Sequence, residues 1–292
     1  MSHYPIAPLA CASADGWFDG SRALLSMATL PDTALVFLHG WGGSASETWE
    51  AFPEAIRLSP RTAQVDAFFL QYPSREHRVA FCAAPVSAIL RDLLRHPLER
   101  VVAGALPPGA TRPPFIYSRV VLIGHSMGAV VARRAVLDVL EELTEDDRSR
   151  LRMLFFAPAH AGSSLPRLLT SGLGLDWLPG GALVGAALTS YYVSLQDLSE
   201  GSPCLAALAE DARVARMAAV PGALSAADTP GHLRARVWHA RDDKVVNQDR
   251  FDADWPLQPV MGRDHRSICK PAVGYSRPVE AVHAMLDEVL PL

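Results

Sequence analysis

Lysine is almost missing from this chain: of its 27 basic residues only Lys244 and Lys270 are lysines, and arginine fills the other positions. That skew reads as the codon usage of a GC-rich genome rather than as chemistry. Positive charge is not in excess, since the formal net charge is −4, which removes the electrostatic footing for nucleic-acid binding. Cysteine is sparse. Cys11, Cys82, Cys204 and Cys269 are scattered, without a C-x-x-C pair or metal-ligand spacing, and read as neutral thiols in a reducing compartment. No apolar run is long enough to span a bilayer. The amino terminus, MSHYPIAPLACASADGW, lacks the basic start and sustained apolar stretch of a secretory signal. Internal repeats and low-complexity runs are absent too. These absences together point to the cytoplasm and leave the oligomeric state open.

What remains is ample for a core: 292 residues, 49% of them hydrophobic, enough for one large α/β domain or two small ones. The stretch from Ser118 to Leu143, SRVVLIGHSMGAVVARRAVLDVLEEL, organises the rest. Val120 to Ile123 suit a strand buried on both faces. The chain then turns through Gly124-His125-Ser126-Met127-Gly128 and resumes with helical periodicity. Ala129, Ala132, Val136, Val139, Leu140 and Leu143 fall on one side, and Arg134, Asp138, Glu141, Glu142 and Glu145 on the other. A serine held where a buried strand reverses into a helix, with glycine two positions either side, has the context of a nucleophile elbow. The first helical turn sets N–H groups and positive dipole beside the hydroxyl.

Around this stretch, buried strands alternate with helices. Residues 21–30 predict an early edge strand or hairpin, and Thr33–Leu38 a buried strand running into His39-Gly40-Trp41-Gly42-Gly43. Ser44 and Glu47 have capping-box spacing, which predicts a helix starting about there. Further strands are predicted at Val65–Tyr72, Arg152–Pro158, Arg234–Ala240 and Gln258–Met261. Helices are predicted at Pro85–Arg95 and Pro278–Leu290, and a surface loop at 104–114. The alternation implies a mainly parallel, doubly wound sheet with helices on both faces and right-handed crossovers. Between about 161 and 232 the alternation breaks into a leucine- and glycine-rich segment. The chain therefore reads as a single domain, 1–292, with a cap or lid inserted at about 161–232, above the strand ends where ligands bind.

Serine needs a base, and the base needs a carboxylate to fix its tautomer and stabilise the imidazolium. His265 lies in a polar loop after the last short strand and before the closing helix, where that base should sit. His160, at another strand end, is the distant second. His39 and His125 belong to the two turns, and His77, His96, His232 and His283 have polar or helical surroundings. The acid follows the strand ending at Ala240, as Asp243 or Asp242. Val245 and Val246 can anchor the loop and favour Asp243, while Asp264 is too close in sequence to His265 to orient it. Backbone N–H groups of Met127, at the helix start, and Trp41, in the glycine-rich loop, are candidate oxyanion donors.

With these residues in place the chain resembles the α/β-hydrolase superfamily over about residues 30–290. Within it, LVFLHGWGGSASETW, VVLIGHSMGAVVAR, FFAPAHAGS, DLSEGSPCLAALAED and DHRSICKP resemble intracellular lipase-like esterases, the group that includes the GPI-inositol deacylase. The resemblance implies the α/β-hydrolase fold, Ser126, Asp243 and His265 as catalytic triad, and Trp41 and Met127 as oxyanion donors. It departs from the group at Phe68-Phe69-Leu70-Gln71-Tyr72, where a tyrosine-rich motif is usual, and at 165–190, which matches no named cap. The expectation is a serine hydrolase cleaving carboxylic esters through an acyl-enzyme, with no metal or organic cofactor. An apolar cap favours small-molecule or lipid-like acyl esters over highly charged ones and leaves room for contact with a membrane surface. Acyl transfer to an alcohol or thiol, or thioester cleavage, would use the same triad, and a non-catalytic binding protein would carry a broken one.

Overall fold

The computed structural model describes residues 3–4, 6–10, 22–95, 106, 112, 115–164, 167–168, 192–220, 228–247, 251 and 254–288. Its frame is one eight-stranded sheet: β1 (Ala7–Ala10), β2 (Arg22–Ser26), β3 (Thr33–Leu38), β4 (Val65–Leu70), β5 (Arg119–His125), β6 (Leu151–Phe156), β7 (Ala235–Ala240) and β8 (Gln258–Val260). The order across the sheet is β1-β2-β4-β3-β5-β6-β7-β8. The β1–β2 and β2–β4 pairs are antiparallel, and every pair from β4 to β8 is parallel. Every residue of β3, β4 and β6 is buried, so both faces of the sheet are covered, as an apolar parallel strand requires.

The covering helices form two groups. Helix α1 (Phe52–Leu58) pairs with the last helix, α7 (Arg277–Leu286). Helices α2 (Val79–Arg95) and α3 (Met127–Val139) pack on each other, and α3 also touches β3, β5 and β6. The short α4 (Glu145–Ser149) opens with a capping box between Thr144 and Asp147. Of the proposed cap, 165–166, 169–191 and 221–227 lie outside the described residues, as do Cys11, His96 and most of the 104–114 loop. Within the same span α5 (Val193–Asp197) leads into α6 (Pro203–Ala219), which packs on α3, with Arg134 of α3 paired to Asp211 of α6 at 2.5 Å. Among the described residues no helix is long and apolar enough to cross a membrane.

Three local expectations are corrected. No helix begins at Ser44: the Glu47 N–H does donate to Ser44 Oγ at 3.0 Å, but Glu50 adopts a positive φ of 45° that breaks helical propagation. Helix α1 therefore waits until Phe52, with proline in its first turn. Helix α2 starts at Val79, not Pro85, because its N-terminal N–H is held by Asp197 Oδ2 at 3.0 Å, a partner 118 residues away. Of the edge strand or hairpin expected at 21–30, the edge alternative is the one corrected: β2 pairs antiparallel with β1, and β1, too short and weakly patterned to read from sequence, takes the edge.

Candidate active site

Strand β5 ends at His125 and helix α3 begins at Met127, so Ser126 alone makes the turn between them. It does so at φ 55° and ψ −120°, a conformation that L side chains seldom adopt and that stores about 1–3 kcal/mol. The flanking glycines let it happen. A Cβ at Gly128 would overlap the Leu38 and His39 carbonyls, and one at Gly124 would strike the Ala129 backbone. The Ser126 N–H is tied to Phe156 O at 3.0 Å, on the neighbouring strand.

Loops following β7 and β8 bring two further groups to this turn. His265 Nε2 lies 3.0 Å from Ser126 Oγ, and its Nδ1 lies 2.8 Å from Asp243 Oδ2. The other Asp243 oxygen accepts the N–H groups of Val245, at 2.7 Å, and Val246, at 3.3 Å. Burial pushes the Asp243 carboxyl upward. The hydrogen bond and charge of His265, with those two N–H groups, outweigh burial and hold it below the usual carboxylate range. Asp242 faces solvent instead. Asp264 turns back into its own loop, where Oδ1 accepts from the Arg266 and Ser267 backbones. His160, the other candidate base, is packed against Phe155 and Phe251 with its Nε2 3.2 Å from Ala129 O.

Across from the serine, the loop after β3 is fixed by its own histidine. The Tyr72 N–H donates to His39 Nε2 at 3.3 Å, so the ring proton sits on Nδ1 and donates to Gly40 O at 2.8 Å. Tyr72 also stacks on this ring, 4.1 Å between centroids and 8° from parallel. Burial pushes His39 down to about 4, and the charge of Arg75 acts in the same direction. Trp41 is anchored by Nε1–H to Ser194 Oγ at 3.0 Å and lies edge-on to Tyr192. Met127, fully buried, opens α3, where the first N–H groups of a helix have no intrahelical partner. Trp41 and Ser126 line one cavity of about 260 Å³, together with Gly40, His265 and the charged residues Glu47, Arg75, Arg266 and Lys270.

One participant has no signal in the sequence. His125 Nε2 lies 2.7 Å from the backbone oxygen of His265; a carbonyl only accepts, so Nε2 carries the proton. Its Nδ1 is buried with no partner among the described residues, and burial together with the nearby His265 pushes the ring down to about 3. Spacing could not have announced a contact between residues 140 apart.

The sequence profile of the α/β hydrolase family matches residues 35–285, and the chain belongs to that family. No curated protein matches it in sequence. Among solved structures it is similar to the peroxisomal α/β-hydrolase Lpx1 of Saccharomyces cerevisiae, with 13% identity, 99% of this chain and 87% of that one covered, and a TM-score of 0.53. It is also similar to the M. tuberculosis esterase Rv0045c, with 13% identity, coverage of 99% and 93%, and a TM-score of 0.51. At such identity these likenesses speak for the fold: a mostly parallel α/β-hydrolase sheet.

Proposed function

We propose that this hydrolase cleaves carboxylic esters through an acyl-enzyme on Ser126. What carries the reading is the unbroken line Ser126 Oγ–His265–Asp243, with spacings of 3.0 and 2.8 Å, at the carboxyl edge of the sheet. As Oγ bonds the acyl carbon, its proton passes to His265 Nε2, and Asp243 stabilises the imidazolium through Nδ1. The carbonyl oxygen becomes an oxyanion, received by the N–H groups of Met127 and Trp41; one such donor contributes roughly 2.7–4 kcal/mol. The same proton then goes to the leaving alcohol as the C–O bond breaks. In the second half His265 takes a proton from water, hydroxide adds to the acyl carbon, and the acid leaves as Oγ regains its proton.

Each part of this is assembled from the chain's own groups. Within the family, the five stretches that resemble lipase-like esterases make that group the narrower reading, and segment 161–232 the cap over the cavity. The three described cysteines are free thiols, in keeping with a cytoplasmic setting. A fluorophosphonate probe tests the chemistry: the native chain is labelled and turns over an aryl ester, whereas Ser126→Ala does neither. Labelling of that variant at the native rate would refute the assignment.

A further inference from the structure

The cavity beside Ser126 is not the apolar chamber that a lipid-directed site would present. Among the described residues its charged lining is three cations, Arg75, Arg266 and Lys270, against one acid, Glu47. The chain as a whole carries a net charge of −4, so this wall runs against the composition. Arg75 comes from the segment after β4, and the other two come from the loop that carries His265. Two other acids among the described residues, Glu50 and Asp264, are not part of this lining. Glu50 holds Lys270 at 2.6 Å from outside the lining, and Asp264 is engaged by the N–H groups of its own loop. Arg75 is held in place, with Nη2 donating to Gly42 O at 3.2 Å and its guanidinium 5.7 Å from the centre of the Trp41 ring.

The rings flanking the serine report the same field. Beyond burial, Arg75 pushes His39 toward neutrality, and Lys270 and His265 do so for His125. At His125 the hydrogen bond to the His265 backbone oxygen and the charge of Asp243 oppose them, and that carboxylate is already bound to His265.

We propose that the ester processed at Ser126 carries an anionic group, a carboxylate or phosphate on its acyl or alcohol half, held by Arg75, Arg266 and Lys270. The inference rests on the reading of Ser126 as nucleophile. Guanidinium groups offer a planar fork matched to such oxyacids, and an ammonium adds a mobile point charge. In a partly enclosed cavity these attractions are screened less than on open surface.

Two matched pairs of esters test this on the full chain. Para-nitrophenyl hemisuccinate against its methyl ester places the charge on the acyl half. Acetylated 4-hydroxybenzoate against acetylated methyl 4-hydroxybenzoate places it on the alcohol half. Each rate is divided by that ester's hydroxide-catalysed rate. The corrected kcat/KM should favour the anion about tenfold or more in at least one pair at low salt, and the ratio should shrink as salt is added. Arg266→Gln and Lys270→Gln should bring it toward one. A ratio near one in both pairs overturns the proposal. So does a loss in the variants that is equal for charged and neutral esters, because the cations would then serve only the oxyanion. If the probe labels Ser126 while the ratio is one, this inference alone fails; if Ser126 is unlabelled and none of the four esters turns over, the nucleophile assignment fails with it.

Discussion

The ring of His125 donates from Nε2 to the backbone oxygen of His265 at 2.7 Å, so the residue before the proposed nucleophile holds the main chain of the proposed base. Each element of the pair comes from a different strand end, and the bond fixes their separation. Replacing His125 with Phe should keep the volume and lose the donor. Small displacements of reacting groups can lower rates about a hundredfold, so a fall of roughly ten- to a hundredfold in kcat with little change in KM is expected. Gln, whose amide can reach the same carbonyl, should recover most of it. Equal activity of native, Phe and Gln forms would show that the bond has no part in positioning.

Asp243 and Asp242 are adjacent in sequence and separate in space. Only Asp243 meets His265, with a fully buried carboxylate. On the proposed reading, Asp243→Asn should lower kcat by about 10⁴, as loss of the orienting carboxylate does in a known Ser-His-Asp triad. Asp242→Asn should leave it within about twofold, in line with the small effects of most surface substitutions. Steady-state kinetics on one aryl ester decides between them, and a reversed ranking would displace Asp243 from its role.

Strain at Ser126 can be measured apart from chemistry. Ser126→Ala and Ser126→Gly both delete the hydroxyl, but only glycine is at ease at φ 55°. The glycine form should be the more stable by about 1–2 kcal/mol, with both inactive. Urea unfolding of the two variants side by side is the check. If alanine is equal or better, the turn holds no such tension.

Several histidines are kept neutral by burial: His39, His232 and His239 are pushed down to about 4, and His125 to about 3, from an ordinary 6.5. The unfolded chain binds protons on these rings below pH 6.5, whereas the folded chain does so only near pH 4 and below. Their contribution to stability is therefore complete above 6.5 and is lost as pH falls from there toward 4. Well inside that window each ring contributes about 1.4 kcal/mol per pH unit. The melting temperature should be level from pH 8 to 7 and fall steeply between 6 and 5. A flat curve across that range would contradict the buried neutral state.

The chain displayed its strands well where a six-residue apolar run met a turn: Thr33–Leu38 is a strand over the same six residues that the sequence marks. The strand–Ser126–helix unit was legible for a related reason, since its glycines and its periodicity are local. Asp243 could be favoured but not separated from Asp242, because the choice depends on which carboxylate the Val245 and Val246 N–H groups capture. The start of α2 was hidden because Asp197, from another part of the chain, supplies its N-terminal acceptor. Arg75 and His125 were silent in the same way: each donates to a backbone oxygen, of Gly42 and of His265, that has no sequence signature.

The order of the strands has one more result. Ser126 follows β5, whereas Asp243 and His265 follow β7 and β8, with β6 lying between the two sets. A chain divided between β6 and β7 would put the proposed nucleophile on one fragment and its base and acid on the other. Neither piece alone would then hold a working set, and ester turnover on mixing would serve as a reporter of the halves finding each other across a single sheet seam.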